Sequence, residues 1–156
     1  MNEPVEILLV EDNPNDVELT LRAFTRQKLA TQIQVARDGQ EALDYIFGRG
    51  AHLGRNLHQQ PKLILLDLKL PKVDGLDVLR EIKSDSRTQM IPVVILTSSS
   101  VEHDIAEGYG RGANSYVIKP VNYDQFMVMV NALGAYWLKF NQNRIAVPVE
   151  ELHLAK

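Results

Sequence analysis

The chain contains no cysteine, which excludes disulfides, a thiol nucleophile and cysteine-ligated zinc. No apolar run approaches the ~18 residues of a membrane-spanning helix, and the N-terminus lacks the basic and apolar regions of a signal peptide. The formal net charge is −3, so no overall positive field attracts nucleic acid or an anionic membrane. We therefore expect a cytoplasmic protein that binds neither nucleic acid nor membrane.

The length of 156 residues and the hydrophobic share of 45% fit one ordinary domain with a well-filled core. Five short apolar runs alternate with helical patterns, which favours βαβ units. We predict an α/β fold, a single (βα)5 doubly wound parallel sheet in the flavodoxin-like order 2-1-3-4-5. The predicted strands are 7–10, 33–36, 63–66, 93–96 and 115–118.

Capping residues mark the predicted helix starts. The candidates are Asn13, Asp38, Ser99 or Ser100, and Asn122. A polar loop over 48–61 is longer than the ~2–6 residues usual for an αβ connection, so it is predicted to be an insertion. Its arginines, Arg49 and Arg55, are interpreted as solvated.

Polar residues stand directly after four of the apolar runs. Glu11 and Asp12 follow the first, Asp67 the third, Thr97 the fourth and Lys119 the fifth. Because the carboxyl ends of parallel strands line one crevice, we expect these side chains to meet. Mg²⁺ prefers carboxylate ligands with water and phosphate oxygens, and clustered carboxylates repel one another without a cation. The pattern predicts a site for a divalent cation and a phosphoryl group.

Simpler explanations exist for each residue alone. The acids can cap the helices that follow, Lys119 can be solvated, and Thr97 can be an ordinary strand end. Asp67, isolated after four apolar residues, can act as a metal ligand, a general base or a nucleophile that forms an aspartyl phosphate.

The combination resembles the receiver domain of two-component response regulators, the CheY-like family, over about residues 5–140. The resemblance rests on Glu11-Asp12, on Asp67 with Pro71 and Asp74-Gly75, on Thr97-Ser98, and on Lys119-Pro120. It implies a phosphoacceptor switch, not an enzyme with turnover, in which Asp67 takes a phosphoryl group from the phosphohistidine of a sensor histidine kinase.

The resemblance also implies the other roles at the site. Mg²⁺ (or Mn²⁺) would be bound by Asp12 directly, by Glu11 mainly through water, by Asp67, and by the backbone carbonyl of Lys69. Thr97 and Lys119 would contact phosphoryl oxygens, and Tyr116 would be the aromatic switch. The residues with a structural role at the site would be Pro71, Asp74, Gly75 and Pro120.

The family tunes dephosphorylation through two positions, occupied here by Lys69 and Ser99. Lys69 departs from the Asn or small polar residue of many relatives. Lys69 also stands where a phosphatase of the haloacid dehalogenase type needs its second acid, which counts against that alternative. A flavodoxin-like small-molecule binder is a further alternative, and it leaves the carboxylates unexplained.

A finer resemblance, based on the 48–61 insertion, is to the small regulators paired with cyanobacterial phytochromes, and it implies a light input.

We predict a receiver domain over 1–141 and a C-terminal tail over 142–156. Tyr136, Phe140 and the apolar tail residues need a partner. We therefore predict a homodimer formed through helix 4, strand 5, helix 5 and the tail.

Overall fold

The structure is a computed structural model that describes residues 5–28 and 32–143. Its five strands are all parallel and form one sheet in the order β2-β1-β3-β4-β5, which confirms the predicted fold. The strands are β1 (Ile7–Val10), β2 (Ile33–Ala36), β3 (Leu63–Leu66), β4 (Val93–Thr97) and β5 (Ser115–Ile118).

Five α-helices cover the two faces of the sheet. They are α1 (Pro14–Arg26), α2 (Gly39–Phe47), α3 (Gly75–Ser84), α4 (Glu102–Gly110) and α5 (Tyr123–Gly134). A short 3-10 helix, Gly50–His52, lies in the insertion, and a π-helix, Ala135–Phe140, continues α5 directly. None of the described helices is long and apolar enough to cross a membrane.

Alternate residues of the central strands pack into two separate cores. Leu8 and Ile64 face the core beneath α2 and α3. Ile7 and Leu63 face the opposite core, beneath α1 and α5. Strands that are apolar on both faces are characteristic of buried parallel sheets, and the polar residues are thereby confined to the strand ends.

Three of the four predicted caps are confirmed, and the fourth is wrong. The side-chain oxygens of Asn13, Asp38 and Asn122 each accept backbone N–H bonds from the first turn of their helix. The N-cap of α4 is Val101, which makes no side-chain capping bond. Neither Ser99 nor Ser100 is the N-cap residue: the oxygen of Ser99 accepts from the N–H of Val101, which precedes the helix, and the Ser99 hydroxyl donates to Asp104 inside it.

Arg55 is not solvated as the sequence suggested; it fastens the insertion to the end of α2. Its guanidinium donates to the carbonyl oxygens of Tyr45 at 2.6 Å and Ile46 at 3.2 Å, and it stacks 4.1 Å from the centre of the Tyr45 ring. The last carbonyl groups of a helix have no hydrogen-bond donor within the helix, and the guanidinium provides one for them. The insertion is therefore held to the domain by specific contacts.

The predicted tail, 142–156, lies almost wholly outside the described residues, which end at 143. The chain reaches that point with Asn143 donating from Nδ2 to the carbonyl oxygen of Lys62 at 3.0 Å, beside the start of β3.

Gly75 has no room for a side chain, because a Cβ there would lie 2.3 Å from the carbonyl oxygen of Asp67. We expect Gly75→Ala to lower the free energy of unfolding by about 1–3 kcal/mol, as over-packing does. Gly110→Ala is the matched control, since a Cβ there meets nothing within 4 Å and alanine favours a helix. Urea unfolding curves that shift equally for both variants would contradict the close approach at Gly75.

Candidate functional site

The predicted site residues meet at the carboxyl edge of the sheet. The backbone ladder continues one step past the strands, with Asp67 N–H donating to the carbonyl of Val10 at 3.0 Å and Lys119 N–H to that of Thr97 at 2.7 Å. These bonds keep the residues that follow neighbouring strands side by side at the carboxyl edge. Glu11, Asp67 and Thr97 are buried, whereas Asp12 is exposed at the mouth of the site.

The ammonium of Lys119 lies at the centre of the site. Its Nζ contacts Glu11 Oε1 in a short hydrogen bond, Asp16 Oδ2 at 2.8 Å and Asp67 Oδ2 at 3.1 Å. Its side chain is 10% exposed, so these are largely desolvated contacts. The predicted partner of Lys119 is a phosphoryl oxygen, and in this structure its partners are carboxylates.

Asp16 belongs to the site, and the sequence analysis missed it. It lies in the first turn of α1, and that helix begins directly after Glu11-Asp12, so its first turn starts at the same edge of the sheet. An acid in the first turn of a helix that starts at this edge was the available signal. The signal is weak, because such an acid is explained equally well by the helix dipole.

Burial dominates the electrostatics of the site. Desolvation raises the pKa of Glu11 to about 7, aided by the charge of Asp67 and opposed by the hydrogen bond from Lys119. Burial alone would lower the pKa of Lys119, but its hydrogen bonds to Asp16 and Glu11 and the charge of Asp67 together raise it above the usual value. Lys119 is therefore an ammonium at neutral pH.

The acidic cluster fits a divalent cation. One oxygen from each of Glu11, Asp12 and Asp67 lies within 4.8 Å of the other two. Hard oxygen ligands at this spacing suit Mg²⁺ or Mn²⁺, and the exposure of Asp12 leaves room for the waters that Mg²⁺ retains. The ligand role of the Lys69 carbonyl stays a prediction. The Lys69 side chain is exposed, and its backbone N–H lies 3.4 Å from Asp67 Oδ1.

Thr97 and Tyr116 are connected through the backbone of Ser99. Thr97 is fully buried, and its Oγ1 accepts from the Ser99 N–H at 3.5 Å. The Tyr116 hydroxyl donates to the Ser99 carbonyl oxygen at 3.0 Å, so the ring of Tyr116 lies inward, over α4. A Cβ on Gly108 of α4 would lie 3.2 Å from that ring.

Three of the residues predicted to have a structural role, Pro71, Asp74 and Gly75, lie in the turn after β3 or at the start of α3. The carbonyl of Pro71 accepts from the N–H of Gly39 at 3.2 Å, and the N–H of Gly75 donates to the carbonyl of Leu68 at 2.9 Å. Asp74 is the N-cap residue of α3, although its side chain makes no capping bond. Pro120 is half-buried beside Lys119.

A family model described as the response regulator receiver domain matches residues 7–131, which is most of the chain. The chain therefore belongs to the family of response regulator receiver domains. Its role is that of a phosphoryl acceptor in two-component signalling.

Curated relatives and solved structures agree with this assignment. The chain is 43% identical over 142 residues to the probable methanogenesis regulatory protein FilR2 of Methanothrix harundinacea, covering 90% of this chain and 88% of that protein. It is 36% identical over 138 residues to response regulator Rcp1 of Synechocystis, covering 88% and 92%. The crystal structure of the phosphorylated cyanobacterial phytochrome response regulator RcpA matches with a TM-score of 0.84 at 37% identity, covering 92% of this chain and all of that one.

A structure of Rcp1 in its Mn²⁺-bound form also matches, with a TM-score of 0.84 at 34% identity, over 91% of this chain and all of that one. That structure shows a relative of this fold with a divalent cation. Together with the acidic cluster here, it supports a metal site in this chain.

Mg²⁺ is expected to stabilise this protein, because the cation binds the folded cluster and not the dispersed chain. At 100 times the dissociation constant the gain is about 2.7 kcal/mol, or roughly 5–10 °C in Tm for a domain of this size. Asp12→Asn should lose most of that rise, whereas Asp124→Asn, an exposed acid in α5, should keep it. Thermal unfolding with and without Mg²⁺ measures this, and a wild-type Tm that ignores the cation would count against the site.

Proposed function

We propose that Asp67 is the phosphoacceptor. The observation that carries the proposal is a carboxylate 8% exposed at the end of β3 that contacts the Lys119 ammonium and lies within the acidic cluster. In the transfer, an Asp67 oxygen attacks the phosphorus of a phosphohistidine. The P–N bond breaks, and the imidazole nitrogen keeps the electron pair.

The surrounding residues provide the positioning and charge neutralisation that phosphoryl transfer requires. Lys119 is already beside Asp67, and an incoming phosphoryl oxygen can replace one of its three carboxylate contacts. Thr97 offers a buried hydroxyl one strand away. A bound Mg²⁺, held by Glu11, Asp12, Asp67 and the Lys69 carbonyl, would add positive charge against the phosphoryl oxygens.

The protein is a switch and not a phosphatase with turnover. A haloacid dehalogenase type of phosphatase needs a second acid two residues after its nucleophile, and that place holds the exposed Lys69. Lys69 and Ser99 would instead set how long the phosphoryl group lasts.

Acetyl phosphate with Mg²⁺ should add one phosphoryl group to the wild-type chain, and Asp67→Asn should abolish the addition because the amide is a poor nucleophile. Intact-protein mass spectrometry reads the result directly. Asp44→Asn, a partly exposed acid on α2, is the control and should label normally. Continued labelling of Asp67→Asn at the wild-type rate would assign the acceptor elsewhere.

We propose further that the kinase partner is a phytochrome. The support is the similarity to Rcp1 and to the phytochrome response regulator RcpA along nearly their whole length. A phytochrome histidine kinase should then transfer its phosphoryl group to this chain faster than kinases of other sensor classes do. Phosphotransfer profiling with equal amounts of each autophosphorylated kinase tests this, and an equal rate from all of them would remove the proposal.

We propose a symmetric homodimer through α4, β5 and α5. The exposed large hydrophobic side chains of the described residues fall on these elements, on the loops beside them and on the π-helix, with Leu53 in the insertion as the exception. They are Val101, Tyr109, Ile118, Val121, Tyr123, Val128, Tyr136 and Phe140. A second copy would cover such a concentration of apolar surface. In this proposal the receiver unit is 1–141, and the tail, 142–156, adds to the interface.

Val128→Lys should weaken the dimer, because it places a charge on a side chain that is 67% exposed in one subunit and would be covered by the other. Leu53→Lys, at a position 83% exposed, is the matched control and should leave assembly unchanged. Sedimentation at tens of micromolar measures both variants, together with a chain ending at Asn141. A wild-type monomer, phosphorylated or not, would overturn the dimer, and a dimer that survives truncation would show that the tail is dispensable.

A further inference from the structure

The hydroxyl of Ser99 is hydrogen-bonded to a residue of α4. Ser99 is two residues past Thr97 and is nearly buried. Its Oγ–H donates to Asp104 Oδ2 at 2.6 Å, and its Oγ accepts from the Val101 N–H at 3.3 Å. A hydroxyl has one proton, so while this proton is given to Asp104 it cannot be given to a phosphoryl oxygen or a water.

The hydrogen bond between Ser99 and Asp104 is stronger than a hydrogen bond between neutral groups. An O–H donor to a carboxylate at this length is a charge-assisted hydrogen bond, roughly twice as strong as a neutral one. The backbone of Ser99 is fixed independently, since its carbonyl accepts from the Tyr116 hydroxyl at 3.0 Å. Ser99 is therefore held at both its side chain and its main chain, by two different elements of the fold.

The position of the loop between β4 and α4 depends on such contacts, because α4 is poorly anchored by apolar packing. Its one buried residue is Gly108, and its N-terminus has no side-chain cap. The carboxylate of Asp104 is also close enough to Tyr116 to act on it. Burial, together with the charges of Asp104 and Asp67, raises the pKa of the Tyr116 hydroxyl.

We propose that Asp104 is a positioning residue that lengthens the lifetime of the phosphoryl group on Asp67. It does so by keeping the Ser99 hydroxyl hydrogen-bonded to α4. The proposal rests on Asp67 being the phosphoacceptor. Loss of the phosphoryl group occurs when water attacks phosphorus in line, the bond from phosphorus to the Asp67 oxygen breaks, and inorganic phosphate leaves with the Asp67 carboxylate restored. The water's proton passes to phosphate or solvent. A free hydroxyl beside Thr97 would orient that water or donate to the phosphoryl oxygens as their charge grows, and either would speed the step.

The test is the decay rate of the labelled protein after acetyl phosphate is removed. Asp104→Ala should speed the decay several-fold, because it frees the hydroxyl. Asp104→Asn should stay near the wild-type rate, because its amide oxygen still accepts the bond. In a Ser99→Ala background, Asp104→Ala should change nothing, since no hydroxyl remains to be freed. Glu102→Ala, an exposed acid in the same turn of α4, controls for the loss of negative charge alone.

Each other outcome identifies a different failure. If Asp104→Ala speeds the decay equally with and without the Ser99 hydroxyl, Asp104 merely supports the loop. If Asp104→Ala does not speed the decay at all, Asp104 has no role in it. Either result overturns the proposal. Urea unfolding of the same single and double variants, without any phosphate, tests the contact itself, and additive effects there would overturn it too. A wild-type chain that never labels on Asp67 while the unfolding cycle shows coupling would instead be a failure of the proposed function.

Discussion

The structure of the site depends on one ammonium shared among three carboxylates. Lys119 at the end of β5 contacts Glu11 after β1, Asp16 in α1 and Asp67 after β3. Removing one partner of a buried ion pair typically costs about 3–5 kcal/mol, because the remaining charge is left unpaired. The same ammonium lies where a phosphoryl group on Asp67 would need a cation. The arrangement that holds four elements together at rest is therefore the one that phosphorylation must rearrange.

The fold and the strand-end residues were predictable because they depend on short-range pattern and parallel geometry. Apolar runs fix where each strand ends, and neighbouring strands bring Asp67, Thr97 and Lys119 to one edge whatever the rest of the chain does. Asp16 was not predicted, because it lies in α1 and does not follow an apolar run, and the parallel geometry identifies only residues at strand ends. Glu11 and Asp67 were expected at the same edge as Lys119, but the pattern did not indicate that they contact its ammonium directly. The sequence pattern predicted where the Lys119 side chain lies, but not which neighbouring groups form ion pairs with it.

The two wrong local interpretations share a cause. Ser99 has the residue type and place of an N-cap, and Arg55 has those of a solvated loop arginine. In each case a partner from another part of the chain orients the side chain: the Ser99 hydroxyl donates to the carboxylate of Asp104, and the guanidinium of Arg55 donates to the last carbonyls of α2. Local preference is a weak guide where a charged or orphaned group lies within reach.

The contacts at the two edges of the sheet differ, and the difference determines which parts of the fold a phosphoryl group on Asp67 would disturb. At the amino edge, Lys83 of α3 donates to the carbonyls of Gln89 and Ile91 and to Asn114 Oδ1, which ties the starts of β4 and β5 to the helix. These acceptors are neutral and local, and a phosphoryl group at the far edge does not compete for them. At the carboxyl edge the contacts are ionic or pass through Ser99, and a new dianion competes with them directly. Of the five α-helices, α4 is the one that buries no large side chain, so it has the least packing to resist displacement. A rearrangement at Asp67 should therefore displace α4 and leave the sheet and the insertion in place.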